Sequence, residues 1–179
     1  TINWSTSDET EGTVATSSFT FTPENWNVPQ VLTVQGVGDS VVDGDVQYAV
    51  VATASSSDSH YGSLEPVEAA LTNEDDDSAT ITVAAANLVV SEGTGGSNTL
   101  ATFDVTLSGV VEGGFDFNYL LEDETATAAG GDYLGTGGSV SFAGTDGETH
   151  SVTIEINPDN IVEPDETFRV VAAAISGIS

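Results

Sequence analysis

Acidic residues recur with one spacing in two segments of the chain, 36–48 and 156–168. Each segment leads into an apolar stretch with strand-like composition, YAVVATA in the first case and FRVVAAA in the second. Carboxylates grouped in loops are the ligands that Ca²⁺ prefers in proteins. The sequence therefore predicts bound divalent cations. The matching acids are Asp39, Asp43 and Asp45 in the first segment, and Asp159, Glu163 and Asp165 in the second.

A second correspondence lies upstream of each acidic segment, where STSDETEGT (5–13) is similar to LLEDETATA (120–128). Asp8 precedes Asp123 by 115 positions, and Asp39 precedes Asp159 by 120. Two correspondences at nearly one offset indicate a repeated module. In 179 residues this predicts about one and a half copies, so we expect the chain to be a fragment of a longer protein.

The charge balance is extreme, because 29 acidic residues face a single basic one, Arg169, for a net charge of −28. Such a charge repels nucleic acid and anionic lipid, which excludes nucleic-acid binding. No apolar run approaches the roughly 20 residues that span a bilayer, so membrane insertion is not expected. Hydrophobic residues make up 39% of the chain and can form a core. Salt or bound cations must then relieve the repulsion.

Alternation of apolar and polar residues, rich in β-branched and aromatic types, recurs along the chain and is typical of short strands. Gly, Asp, Asn and Ser clusters separate these stretches, and no segment has a sustained helical period. The pattern predicts an all-β, immunoglobulin-like antiparallel β-sandwich built from tandem repeats. The predicted strands are SSFTFTP, QVLTVQGV, VQYAVVATA, ATITVAAA, LATFDVTL, FDFNYLL, GSVSFAG, HSVTIEI and TFRVVAAA.

The sharpest break in composition is NEDDD, residues 73–77, which SATITV follows at once. We place a module boundary here, with one module over 1–77 and another over 78–179. A flexible acidic linker and a rigid joint bridged by ions are both consistent with this run.

The second module resembles the Calx-β domains of sodium–calcium exchangers, integrin β4 and many bacterial surface proteins. ITVAAANLVVSEGTGG (81–96) is similar to the family's first strand with its acidic residue. Residues 122–168 follow the family signature in order: a D-x-T-A…G-x-D-Y loop, a G-x-V-x-F strand, a G-E-T turn and a D-x-x-x-E-x-D-E-x-F loop. The first module is a looser match, because Val46 replaces the second acid before the aromatic residue.

The resemblance implies a seven-stranded sandwich that binds calcium at one end. It also implies that the first module lacks its opening strands and the second its last strand. The implied metal ligands are Glu92, Asp123, Asp159, Glu163 and Glu166 with the adjacent Asp165 in the second module, and Asp8, Asp39, Asp43, Asp75, Asp76 and Asp77 in the first.

An enzyme is not expected, because His60 and His150 lie apart in polar contexts and no cysteine is present. We predict a calcium-binding structural or adhesion module of a secreted or cell-surface repeat protein, rigidified by calcium at the module junction. Its partners would be calcium ions and neighbouring repeats or other copies of itself. Two alternatives stay open: a subunit of an extracellular filament or matrix assembled by strand complementation, and an accessory domain of a secreted hydrolase.

Overall fold

The computed structural model describes residues 1–84 and 88–176. The chain divides into two compact units, one of residues 1–39 with 44–76 and the other of residues 40–43 with the chain from 77 onward. Strands dominate both units, and every strand pair but one is antiparallel among the described residues. The predicted all-β sandwich class is confirmed. Within the predicted strand ATITVAAA, residues 85–86 lie outside the described residues.

The strands up to β7 are β1 (Ile2–Thr6), β2 (Gly12–Val14), β3 (Ser18–Phe19), β4 (Val34–Gly36), β5 (Val41–Val42), β6 (Val46–Ala54) and β7 (Val67–Asn73), of which β5 belongs to the second unit. The first unit is built on a four-stranded sheet in the order β3-β1-β6-β7, with a two-stranded ladder of β2 and β4. A one-turn helix, α1 (Ser59–Gly62), begins at the N-cap Asp58 and lies between β6 and β7 in the sequence.

The strands of the second unit after β5 are β8 (Thr80–Val83), β9 (Thr99–Ser108), β10 (Val110–Val111), β11 (Phe115–Asp123), β12 (Tyr133–Leu134), β13 (Gly137–Phe142), β14 (Thr149–Ile156) and β15 (Phe168–Ser176). They form two main sheets, in the orders β13-β11-β15 and β12-β14-β9-β8, and β10 also forms a parallel pair with β5.

The core of the second unit comes from the inward-facing positions of both sheets. Val105 and Leu107 on β9 are almost fully buried, and Phe115 on β11 stacks on Phe142 of β13 with ring centroids 5.1 Å apart. The opposite face of β9 and β14 is polar, as in the Thr106–Thr149 hydroxyl pair at 2.9 Å. This alternation is what a sheet with one buried face requires.

Both units use the same strand register in their central ladders. An offset of 115 residues relates β1 to β11, and an offset of 120 relates β6 to β15. The ladder of β3 with β1 in the first unit is equivalent to that of β13 with β11 in the second. The ladder of β2 with β4 is likewise equivalent to that of β12 with β14. A bulge shifts the second ladder by one residue beyond Tyr119. The matched pairs are Thr6 with Val50 and Trp4 with Ala52 in the first unit, and Leu121 with Val170 and Tyr119 with Ala172 in the second.

No described helix is both long enough and apolar enough to cross a membrane.

The turn between β13 and β14 depends on one carboxylate. Glu148 accepts hydrogen bonds from the backbone N–H groups of Ala143 (3.0 Å), Gly144 (3.1 Å) and Thr145 (3.4 Å). Its Oε1 also lies 2.7 Å from Nε2 of His150. The pKa of Glu148 is lowered to about 2, mainly by the hydrogen bond from the Ala143 N–H and next by the hydrogen bond with His150.

We predict that Glu148→Gln destabilises the protein at neutral pH and that this effect fades in acid. Because folding depresses this pKa from 4.5, the carboxylate stabilises the fold above about pH 4.5, and this contribution is lost as pH falls towards 2. Urea unfolding from pH 7 to pH 2 should show the variant and native curves converging. Glu112→Gln, at an exposed site in the same unit, is the control. A gap that is constant at every pH would contradict the prediction.

Candidate cation site

Three loops of the second unit bring five carboxylates together in two overlapping groups. One oxygen from each of Glu92, Asp159 and Glu163 lies within 4.8 Å of the others, and the same holds for Asp132, Glu163 and Glu166. Two oxygens that share a Ca²⁺ ion at about 2.3–2.6 Å lie at most about 5 Å apart. Both groups therefore have the spacing of a ligand set. We call these five residues the candidate cation site.

Backbone hydrogen bonds hold the first group in place. Asp159 donates its N–H to Glu92 Oε1 at 3.0 Å and forms an isolated parallel bridge with Thr94. The hydroxyl of Thr99, at the start of β9, donates to the backbone oxygen of Glu92 at 3.2 Å. Asp159 Oδ1 in turn accepts the N–H of Ile161 at 2.6 Å, which turns the chain after the acid. The segment around Glu92 and the loop after β14 are thus tied together.

A compact turn before β12 positions Asp132. Its Oδ2 accepts the N–H of Thr127 at 2.6 Å, and its own N–H donates to the Thr127 oxygen at 3.2 Å. The backbone oxygen of Asp132 accepts the N–H of Asn157 at 3.0 Å, just after β14 ends. These bonds fix the turn beside the loop that carries Glu163 and Glu166.

Crowding raises the pKa values of two carboxyls in the candidate cation site. Loss of surrounding water raises the pKa of Glu163, and the negative charges of Asp159 and Glu166 add to the effect. Loss of water, followed by the charge of Asp132, also raises the pKa of Glu166. A positive charge would reverse these effects.

The single Lys or Arg of the sequence does not supply that positive charge. Arg169 pairs instead with Glu122 at 3.0 Å and with Glu124 at 2.9 Å. The one side chain of the sequence with a permanent positive charge is therefore engaged outside the candidate cation site.

Four of the acids that the sequence singled out in the second module meet in the candidate cation site: Glu92, Asp159, Glu163 and Glu166. Asp165 is exposed and belongs to neither group. Asp123 accepts hydrogen bonds from the Tyr133 hydroxyl and from the N–H of Ala128 at 2.9 Å, and the Tyr133 bond is the main reason that its pKa is lowered. Asp123 therefore braces the turn.

Sequence reasoning missed Asp132, although the signal was present. The G-x-D-Y element contains this residue, and it lies in the same loop as Asp123. Spacing alone does not distinguish the two, because both acids flank one short turn. Their hydrogen bonds differ, because Asp132 accepts from Thr127 and Asp123 accepts from Tyr133 and Ala128. Of the two, Asp132 lies beside Glu163 and Glu166.

The candidate cation site contains none of the acids predicted in the first module. Asp8 accepts the N–H and hydroxyl of Thr10 at 2.9 and 2.5 Å, and the hydroxyl bond is the main cause of its lowered pKa. Asp75 accepts the N–H of Gly44 at 2.9 Å and donates its own N–H to Asp45 at 3.1 Å. Of the remaining acids, Asp39 and Asp76 lie in the first unit, and Asp43 and Asp77 belong to the second.

A comparison with known protein families supports the metal-binding interpretation. The family model described as the Calx-beta domain matches residues 74–177, which is more than half of the chain. The match includes every residue of the candidate cation site. No curated protein and no solved structure matches the chain.

We predict that Asp132→Asn lowers calcium affinity about tenfold or more, whereas Asp123→Asn changes it by less than about threefold. The first change removes a carboxylate charge from the candidate cation site but keeps an oxygen that can accept the Thr127 N–H. The second is made at a position that braces the turn. Isothermal titration calorimetry measures both affinities. A larger loss in Asp123→Asn than in Asp132→Asn would contradict this assignment.

Proposed function

The chain belongs to the Calx-beta domain family, and on that premise we propose that it is a non-enzymatic calcium-binding structural module of an extracellular or cell-surface protein. The calcium ligands that we propose are Glu92, Asp132, Asp159, Glu163 and Glu166. We further propose that the two units are copies of one module, because their central ladders share one register.

The observation that carries this proposal is the overlap of two carboxylate groups at Glu163. Isolated acids on a protein surface are hydrated and need no partner. Five acids from three loops lie at ligand spacing, and loss of water together with neighbouring negative charges raises the pKa of Glu163 and of Glu166. A bound cation would offset these negative charges.

The donor set favours calcium over other divalent ions. All five side chains are hard oxygen donors, which suit Ca²⁺ and Mg²⁺ better than softer metals. Calcium accepts six to eight oxygens in flexible geometry, whereas magnesium demands a near-ideal octahedron and retains several waters. Carboxylates gathered from three separate loops supply many oxygens, and Glu163 belongs to both groups. This arrangement fits calcium.

Calcium binding would act on the loops at one end of the second unit. The segment around Glu92, the turn that holds Asp132 and the loop 159–166 carry the ligands. An ion shared by these segments would replace their mutual repulsion with attraction. We expect the end of the module to become stiffer and the fold more stable, as is usual where metal binding is coupled to folding.

A stiff, strongly acidic module suits a spacer or adhesive stalk. The charge of −28 keeps such a protein soluble and is well screened in a saline medium. Cysteine is absent, so disulfides supply none of the rigidity and the ion would have to do so. These features support an extracellular structural role in which calcium availability sets stiffness.

We predict that calcium raises the thermal stability of the chain in a manner that depends on Glu163. At a calcium concentration 100 times the dissociation constant, one site adds about 2.7 kcal/mol to the free energy of unfolding. Glu163→Gln should abolish most of this gain and, because it relieves repulsion, should also stabilise the calcium-free protein.

Thermal unfolding in calcium, in magnesium and in chelator at fixed ionic strength tests this prediction. Asp165→Asn is the matched control, since Asp165 is an exposed acid in the same loop. A calcium gain that survives in Glu163→Gln and disappears in Asp165→Asn would refute the proposed ligand set. No stabilisation by calcium in the unchanged protein would refute the function.

A further inference from the structure

Tyr133 is a buried tyrosine next to one residue of the candidate cation site. It is 2% exposed, is the first residue of β12 and follows Asp132 in the sequence. Its backbone lies opposite Ile156 of β14. Its hydroxyl donates to the carboxylate of Asp123, the last residue of β11. Because β12 and β11 belong to different sheets, this hydrogen bond joins the two main sheets of the second unit.

The ring of Tyr133 joins the same two sheets a second time. It stacks on Phe168, the first residue of β15, with ring centroids 4.4 Å apart and ring planes inclined by 23°. Phe168 lies opposite Asp123 in the ladder of β15 with β11. Glu166 is two residues before Phe168 and belongs to the same carboxylate group as Asp132. The stacked rings are therefore one residue away from Asp132 and two residues away from Glu166 along the chain.

Backbone hydrogen bonds hold the chain between Glu166 and Phe168. The backbone oxygen of Thr167 accepts the N–H groups of Thr125 and Ala126, each at 3.0 Å. The N–H of Thr167 donates to the Thr125 hydroxyl at 2.7 Å. The turn that follows β11 thus fixes the residue next to Glu166, on the same side of the site as the stacked rings.

The first unit has a different arrangement at the equivalent positions. Gly12 is the equivalent of Tyr133 and has no side chain that could form these contacts. Asp8, the equivalent of Asp123, accepts the N–H and the hydroxyl of Thr10 instead. The bond from a tyrosine hydroxyl to this acid is thus a property of the second unit, which contains the candidate cation site.

We propose that Tyr133 is a positioning residue of the candidate cation site, which holds Asp132 and Glu166 at ligand spacing before an ion binds. This role rests on the proposed calcium-binding function. Like charges repel, so neighbouring carboxylates stay close only where the backbone that carries them is fixed. The hydroxyl bond fixes β12 against β11, and the stack on Phe168 fixes it against β15. Groups that orient metal ligands in this way raise affinity, because less order has to be imposed on binding.

The first test follows the calcium-free chain by hydrogen exchange measured by NMR. The Thr127 N–H donates to Asp132 Oδ2 at 2.6 Å, so its exchange rate reports the position of that carboxylate. Tyr133→Phe removes the hydroxyl and keeps the ring, and should accelerate exchange at Thr127 about tenfold. The Ala143 N–H, which donates to Glu148 at 3.0 Å in the same unit, is the internal control and should exchange at an unchanged rate.

The second test measures calcium affinity by isothermal titration calorimetry on folded variants of the full chain. Tyr133→Phe should bind calcium about tenfold more weakly, as is usual when a group that orients a metal ligand is removed. Tyr119→Phe is the matched control, because the Tyr119 hydroxyl lies beside Gly138 of β13. This control should change calcium affinity less than about twofold.

A double-mutant cycle distinguishes positioning from a general loss of stability. If Tyr133 acts through Asp132, Tyr133→Phe should change calcium affinity at most about twofold when Asp132→Asn is already present. In a Glu92→Gln background it should keep its full effect, because Glu92 belongs to the carboxylate group that does not contain Asp132.

The stack on Phe168 supplies a second pair of variants if Tyr133→Phe fails to fold. Phe168→Leu removes the ring and should also lower calcium affinity about tenfold, whereas Phe168→Tyr keeps a ring and should change affinity less than about threefold. The chain has a tyrosine, Tyr48, at the equivalent position of the first unit.

Three results would overturn this role for Tyr133. The first is unchanged exchange at Thr127 in folded Tyr133→Phe, or exchange that accelerates equally at Thr127 and Ala143. The second is unchanged calcium affinity in Tyr133→Phe. The third is a loss of affinity that is the same with and without Asp132→Asn. Each of these leaves the proposed function intact if the unchanged chain binds calcium. No calcium binding by the unchanged chain would instead refute the function, and this role with it.

Discussion

The scarcity of basic side chains is the constraint on which the arrangement of this protein depends. With 29 acidic residues and one arginine, most carboxylates must find partners other than Lys or Arg. The described structure meets this demand with backbone N–H and hydroxyl groups in turns. Asp8, Asp123 and Glu148 each accept such bonds, and each has a lowered pKa. Their negative charge therefore orders turns, because a hydrogen bond to the charged form favours that form.

Four carboxyls of the candidate cation site fall into two pairs with different surroundings. Glu92 and Asp159 are joined to each other through a backbone N–H, so the main chain places one acid against the next. Glu163 and Glu166 instead have raised pKa values, caused by loss of water and by neighbouring carboxylates. Acids that brace turns have their compensation within the fold. Glu163 and Glu166 are instead surrounded by other carboxylates, whose charges add to the rise in pKa.

Sequence patterning predicted the strands with strong alternation and missed those that depend on a neighbour. β9 and β14 have clear two-residue periods, and the structure contains both. β7 has the sequence VEAALTN, whose central Glu and Ala residues have low strand propensity, and only its pairing with β6 makes it a strand. The same limit applied to the site. Asp123 and Asp132 flank one turn, and only their contacts in the folded chain distinguish them: Asp123 binds Tyr133, whereas Asp132 lies beside Glu163 and Glu166.

The shared strand register does not give the two units the same residues at equivalent loop ends. The first-unit residues equivalent to Asp132 and Glu166 are Glu11 and Val46. Glu11 accepts the side-chain amide of Asn73 at 3.2 Å, and Val46 contributes no carboxylate. Packing diverges as well: Tyr133 stacks on Phe168 at 4.4 Å, whereas a side chain at the equivalent Gly12 would collide with the ring of Tyr48. Equivalent ladders thus carry different side chains at their ends, and these side chains pack differently.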